Sequence, residues 1–429
     1  MDSIIVKTTQ SLTTAEDMRN QTKLLMQPYA NWEMYLTPAP LSIAIMGALL
    51  LISTAKEFYI DKNNPKNGYK FIKYPESFPA CLMQVCNTGL WAFNEAHKNM
   101  DQIRLHTAQV PDYMKTAVKI LFQGDDEVVK AHLPDQLDNI RVIADECFKL
   151  SDATEECFIN VTKIIQELLE VCLNRETFYV DEIETIKRKL EETKLREQSA
   201  KEAKRRTEKA VSAREKEELT EILITMRNCE QKEIDFKTTI EMLVKGMDAM
   251  GRVKSQWEMM IHFFQMVSNI VKTSLGKTLT NFVSTSEKTQ ALSYNAKLFS
   301  KDLLYAEVFQ ACNIASLVHM ISGTYTDVSN KYLMDLVSSL GKLMVMDKSK
   351  PEFEHERHRL QFGCDEVQKG ILSLVLENKE EFDRKITARF EKIYQELLAI
   401  LPAAPPEQIK SIQEVVQAGF TEEEAASYY

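Results

Sequence analysis

Glycine and proline are scarce. Each occurs 12 times in 429 residues, where usual levels of about 7% and 5% would give about 30 and about 20. Sandwiches, barrels and wound α/β folds need both residues at tight turns, so the shortage argues against them. None of the eight cysteines (Cys81, Cys86, Cys147, Cys157, Cys172, Cys229, Cys312 and Cys364) stands in a C-x-x-C pair, and no zinc-ligand pattern appears. Most sit in apolar helical surroundings and read as small core residues. They suit a reducing compartment, or a secreted protein that does not depend on disulfides. A spanning-length apolar run is missing too. The longest, Leu41 to Ala55, "LSIAIMGALLLISTA", has 15 residues, short of the ~20 a transmembrane helix needs. The start, "MDSIIVKTTQ", lacks the basic and apolar regions of a secretory signal. The expectation is a soluble chain, cytoplasmic or exported by an unconventional route. Net positive charge is absent as well: the formal charge is −10, which disfavours nucleic acid as a partner.

What is present is material for a large helical core. Apolar residues make up 44% and charged residues 27%. From Asp135 to Lys245 there is neither glycine nor proline, so helix can run through the whole segment at about 1.5 Å per residue. Apolar residues recur at three and four on both flanks: Ile164, Leu168, Val171 and Cys172 upstream, Phe236, Ile240, Leu243, Met247 and Met250 downstream. Between them, "LEETKLREQSAKEAKRRTEKAVSAREKEEL" (Leu190 to Leu219) carries almost nothing to bury. Its Glu192–Arg196, Glu197–Lys201 and Glu202–Arg206 pairs place the acid first at i,i+4 and each add about 0.3–0.5 kcal/mol of helix stability. If the two apolar-faced flanks pack on each other, the chain reverses around Gln198 to Ser212 and the charged stretch is the far end of a hairpin. The alternative is one unbroken helix with a solvated middle.

The fold class expected is all-α, an elongated helical bundle with a long antiparallel coiled-coil hairpin. Residues 1–134 supply shorter helices, among them Thr13 to Met26, Leu41 to Tyr59, Phe78 to His106 and Pro111 to Phe122. Residues 135–290 form the hairpin, 291–401 complete the bundle, and 402–429 are a linker and a short tail helix.

Catalytic patterns fail on inspection. "GKT" at Gly276 to Thr278 lacks the earlier glycine of a phosphate loop, and "HERH" at His355 to His358 has the wrong spacing for a zincin. The latter reads as a charged solvent face. No enzymatic role, metal or cofactor is expected. Lys201, Lys204, Arg205, Arg206 and Lys209 cluster at the expected tip, but interleaved acids nearly cancel them. A solvated face is the plain reading, and contact with anionic lipid head groups the sharper one. The apolar block through Leu41, Ile43, Ile45, Met46, Leu49, Leu50, Leu51 and Ile52 is either a buried core helix or a helix stored for release to a bilayer. Asp302 to Ile321 is a second apolar candidate, made costlier to insert by Glu307, Asn313 and His319.

On the return leg, "QWEMMIHFFQMVSNIVKTSLGKTL" (Gln256 to Leu279) sets Trp257, Ile261, Phe264, Val267 and Val271 in one apolar stripe. A tryptophan, paired phenylalanines and an Ile/Val stripe after a long charged helix resemble the α-helical pore-forming toxins around cytolysin A, haemolysin BL and the xenorhabdolysin-like proteins. The resemblance covers roughly Asp135 to Thr285. It implies a soluble bundle that binds a lipid membrane, rearranges, and associates with itself or with a second helical component. Those toxins carry an apolar tongue near the tip of their long helices; here the tip is charged, so the inserting element is sought at Leu41 to Ala55. The rival expectation is an intracellular coiled-coil scaffold, or a membrane-associated interaction protein that forms no pore.

Overall fold

The computed structural model describes residues 14–53, 68–173 and 236–400. The charged cluster from Lys201 to Lys209, the expected reversal at Gln198 to Ser212 and the tail at 402–429 lie outside the described residues.

Every regular element among the described residues is helical. Helix α1 (Ala15–Met26) opens with a capping box in which Thr14 and Asp17 satisfy each other's backbone N–H groups. Two 3₁₀ turns, Gln27–Tyr29 and Trp32–Tyr35, lead to α2 (Ala39–Ile52). Then come α3 (Phe78–Gln123), α4 (Asp126–Leu173) and α5 (Phe236–Asn269). A π-helical segment, Ile270–Gly276, joins α5 to α6 (Lys277–Gln290), and a second, Ser329–Leu333, joins α7 (Tyr294–Val328) to α8 (Met334–Val345). The chain closes with α9 (Pro351–Phe362), α10 (Cys364–Arg384) and α11 (Ile386–Leu398).

The body is a bundle of four long legs running alternately up and down. Helices α3 and α4 pair through Phe93 with Phe158 and through Asn99, whose Nδ2 donates to Thr154 Oγ1 at 3.1 Å. Residue numbers fall along α4 as they rise along the next leg: Gln166 meets Lys254, Phe158 meets Trp257, Phe148 meets Lys272 and Arg141 meets Glu287. Thr285 donates to Glu307 between α6 and α7. Helix α7 returns along α3, with Tyr305 beside Phe122 and His319 bonded to the Arg104 carbonyl. Leg α3 has 46 residues and α4 has 48, about 70 Å each at 1.5 Å per residue, so the bundle is elongated.

Two boundaries differ from the expected ones. Helix α3 runs straight through Pro111, where two helices were expected, because Val110 and Met114 on either side are buried in the core and hold the chain helical. Helix α4 begins at Asp126 and contains Pro134, so it crosses the expected division at 134/135.

One aromatic cluster ties all four legs together. Trp257 stacks on Phe158 with centroids 4.9 Å apart, Phe93 meets Trp257 edge-on at 5.2 Å, and Phe264 sits 4.4 Å from Phe158 and 5.3 Å from Tyr325. Trp257 Nε1 donates to the Phe158 carbonyl at 2.9 Å, so its one polar group is satisfied in the core. Ile261, Val267 and Val271 are buried on the same leg.

Candidate functional site: a sheathed apolar helix

Helix α2 carries no charge and no preferred polar side. Leu41, Ile43, Ile45, Met46, Leu49, Leu50 and Ile52 are all at most 6% exposed, and Leu51 is half-buried. A helix that is hydrophobic all round must be covered all round. It packs against α3, α5, α8, α9, α10 and the Ser329–Leu333 segment.

Close approach needs small residues at two points. A Cβ on Gly47 would lie 3.1 Å from Leu360 Cδ1 of α9, and one on Gly89 of α3 would lie 2.6 Å from Met46 Sδ. The polar groups of α2 are satisfied within itself. Ser42 Oγ donates to the Ala39 carbonyl at 2.9 Å and Ser53 Oγ to the Leu50 carbonyl at 2.7 Å. An element that bonds its own polar groups loses little hydrogen bonding when it moves from protein to hydrocarbon.

Polar contacts hold the segment at its two ends. At the N-terminal side, Lys379 Nζ of α10 pairs with Glu33 at 2.6 Å, reaches the Ala30 carbonyl at 3.3 Å and lies over the Trp32 ring. At the C-terminal end, Lys348 Nζ donates to Ser53 Oγ at 3.1 Å, a cation placed where the helix dipole is negative. Burial pushes the Lys348 ammonium below its ordinary pKa. Below it, Cys86 Sγ meets the Met46 carbonyl at 3.4 Å, and burial raises that thiol to about 12. After α2, the carboxylate of Glu167 accepts from the backbone N–H groups of Lys70, Phe71 and Ile72 at 2.6–2.7 Å and fixes the approach to α3.

Helix α2 lies at one end of the bundle. Ile52 and Phe78 flank Gly246 near the start of α5, and Met46 meets Gly89 near the start of α3. The chain leaves α4 at Leu173 and rejoins at Phe236 at this same end, as the Gln166–Lys254 contact shows. Thus the sequence segment carrying the charged cluster connects to the body beside the apolar helix.

The stripe of Trp257, Ile261, Phe264, Val267 and Val271 is core of the bundle. Beside it, Phe263 contacts Trp32 of the 3₁₀ turn that leads into the apolar helix, with centroids 5.8 Å apart. Of the "HERH" residues, Arg357 is not on a solvent face. It is 3% exposed and paired with Glu354. The clamps by Lys348 and Lys379 leave no local trace in the sequence, because Glu33 and Lys379 are 346 positions apart.

Among the described residues, two stretches are long and apolar enough to cross a membrane by length and composition, Trp32–Ile52 and Ser300–Val345. The most apolar window of the first is 83% buried and that of the second 61%. The second is committed to the bundle by its polar groups: Asn313 Nδ2 donates to the Met18 carbonyl at 3.1 Å, and Glu307 and His319 bond to other legs.

Fold and site together define a class, an elongated all-α bundle that sheathes at one end an apolar helix whose length and composition are consistent with membrane contact. No protein-family model, curated protein or solved structure matches the chain.

Proposed function

We propose that the protein is a membrane-active helical protein of the pore-forming kind. It stores α2 in the bundle, meets a lipid surface with the end that holds α2, and rearranges with further copies or a second helical component to deliver that helix. The reading needs no catalytic step. One observation carries it: an uncharged helix, self-satisfied in its hydrogen bonds, is enclosed at the end of the bundle from which the charged segment departs.

Magnitudes restrict how release happens. Seven large apolar side chains at about 1.5–3 kcal/mol each amount to on the order of 10–20 kcal/mol, comparable with the net stability of a whole protein, about 5–15 kcal/mol. Release into water is therefore closed, and lipid or oligomer contacts must replace the sheath. Length restricts it too. The 14 residues of α2 span about 21 Å, less than the ~30 Å hydrocarbon core. Trp32 to Pro38 would have to join the helix, which requires Glu33 to leave Lys379.

The test is dye release from vesicles with and without anionic lipid. Gly47→Cys with Leu360→Cys places two thiols where α2 and α9 touch. The oxidised variant should not leak vesicles, and reduction should restore leakage to the wild-type level. Full leakage from the oxidised variant would remove α2 as the inserting element. A wild type that leaks no vesicle of any composition would favour a coiled-coil scaffold instead.

A further inference from the structure

Away from α2, an in-helix proline and two breaks in regular α-helix face one another across an open cleft of about 930 Å³. Pro111 stands inside α3, the π-helical Ser329–Leu333 segment follows α7, and α10 gives way to α11 at Lys385. Pro111, Asn330 and Lys385 all line the cleft. π-Helical segments frequently mark functional sites, and a volume of this size suits a small molecule.

Among the cleft's arginine and lysine side chains, Arg104 and Lys385 have acidic partners and Arg389 has none among the described residues, while the Asp327 carboxylate also lines the cleft. Arg104 directs Nε and Nη2 at Asp101 Oδ1, at 2.8 and 2.6 Å. Lys385 is paired with Glu381. Arg389 lies over the Phe382 ring with its guanidinium carbon 3.9 Å from the centroid, and its Nε and Nη2 are shielded from solvent with no hydrogen-bond partner among the described residues. These two atoms form the side-on fork that grips a carboxylate or phosphate with two parallel bonds. Arg104 and the buried Arg357 both use the same fork on a carboxylate. Burial without a contacting acid lowers the Arg389 pKa to about 10.

An acceptor stands in the same cleft. His319 Nδ1 lies 2.8 Å from the Arg104 carbonyl. A carbonyl only accepts, so Nδ1 carries the proton, and in the neutral ring Nε2 is left with a lone pair. The cleft thus offers a guanidinium fork for an oxyanion and an imidazole nitrogen for a hydroxyl donor. We propose that this cleft binds a hydroxylated phosphate, a polyol phosphate free in solution or as a lipid head group, with the Arg389 side chain turning its fork onto the phosphate and His319 Nε2 accepting from a hydroxyl.

The experiment titrates the full chain with glycerol 3-phosphate and with inorganic phosphate, followed by calorimetry and by the ¹⁵Nε–Hε signals of arginine. In parallel, it measures binding to phosphatidylcholine vesicles with and without phosphatidylinositol. The Arg389 Nε signal should move on addition of glycerol 3-phosphate, with weaker binding of inorganic phosphate, which lacks the carbon-borne hydroxyls. Arg389→Lys keeps the charge and loses the fork, and should weaken binding about tenfold or more, as for a lost hydrogen bond to a charged group. Lys385→Met, whose ammonium is already paired, should change it much less. Arg389-dependent binding to phosphatidylinositol vesicles alone would identify the head group as the source. Equal binding by wild type and Arg389→Lys, or no binding of any of these probes by wild type, would overturn the proposal. The signal shift in wild type decides the matter even if the variant folds poorly.

Discussion

A buried thiol resists losing its proton because the thiolate it would leave has no solvent to stabilise it. Cys81, Cys86, Cys147 and Cys312 are buried in the legs, and burial raises each to about 12. An unfolded chain releases the same protons from its ordinary thiol range upward. Between there and pH 12 the unfolded state therefore binds fewer protons than the folded one, and stability falls as pH rises. Below the ordinary range the thiols contribute no slope. We expect the melting temperature to drop progressively above pH 9, and the drop to be shallower for Cys86→Ala with Cys312→Ala. The same burial should leave these four thiols unlabelled by a disulfide reagent at pH 8 until the protein unfolds. Prompt labelling of all of them in the native protein would mean that the legs are not packed as described.

Among the elements, α3 tests how far local rules hold. A proline in a helix interior costs about 3 kcal/mol relative to alanine, since it removes an N–H and crowds the preceding turn. Its stiffening of the unfolded chain returns about 0.4–1 kcal/mol. Pro111→Ala should therefore stabilise the protein by about 2–2.6 kcal/mol, read as a higher melting temperature; a lower one would mean that the Pro111 ring supports the cleft wall. Local preference alone stops a helix at His106 and begins another at Pro111. Burial of Val110 and Met114 decides otherwise, and burial comes from residues far along the chain. The same divide separates what could be read of the site from what could not. The apolar run at Leu41 to Ile52 and the stripe from Trp257 to Val271 stand out by composition and period. The sheath over α2 does not, since its Leu360 sits among charges on α9 and meets Gly47 only after some 300 residues of intervening chain. Nor does the Arg389 fork, which in "ITARFEKIYQ" looks like any solvated charge. Long-range partners carry no periodic signal.

At the scale of the whole molecule, four alternating legs with short connections at one end make a rod whose other end holds the apolar helix α2. Gly124 and Asp125 turn α3 into α4, and Ala291 to Ser293 turn α6 into α7, both at the end where Tyr305 donates to the Leu397 and Ile400 carbonyls. The opposite end carries α2 and the two points, Leu173 and Phe236, between which 62 residues of chain are inserted. Legs of 46 and 48 residues require a particle at least about 70 Å long. The inserted segment carries Ala200, Ala203, Ala210 and Ala213 and several acid-first i,i+4 pairs and contains neither glycine nor proline, so its sequence favours helix in continuation of both legs. Thirty residues of helix in each direction would add about 45 Å. Small-angle scattering of the full chain should then give a longest dimension on the order of 100 Å. Replacing residues 180–230 by a short Gly/Ser linker should bring it back toward the length of the legs while leaving the melting temperature within about 0.5 kcal/mol of stability, as for changes that touch no packed residue. A full chain no longer than the deletion variant would place the charged segment against the body, and the hairpin reading would fall with it. A dimension well below about 70 Å for either protein would contradict the bundle itself.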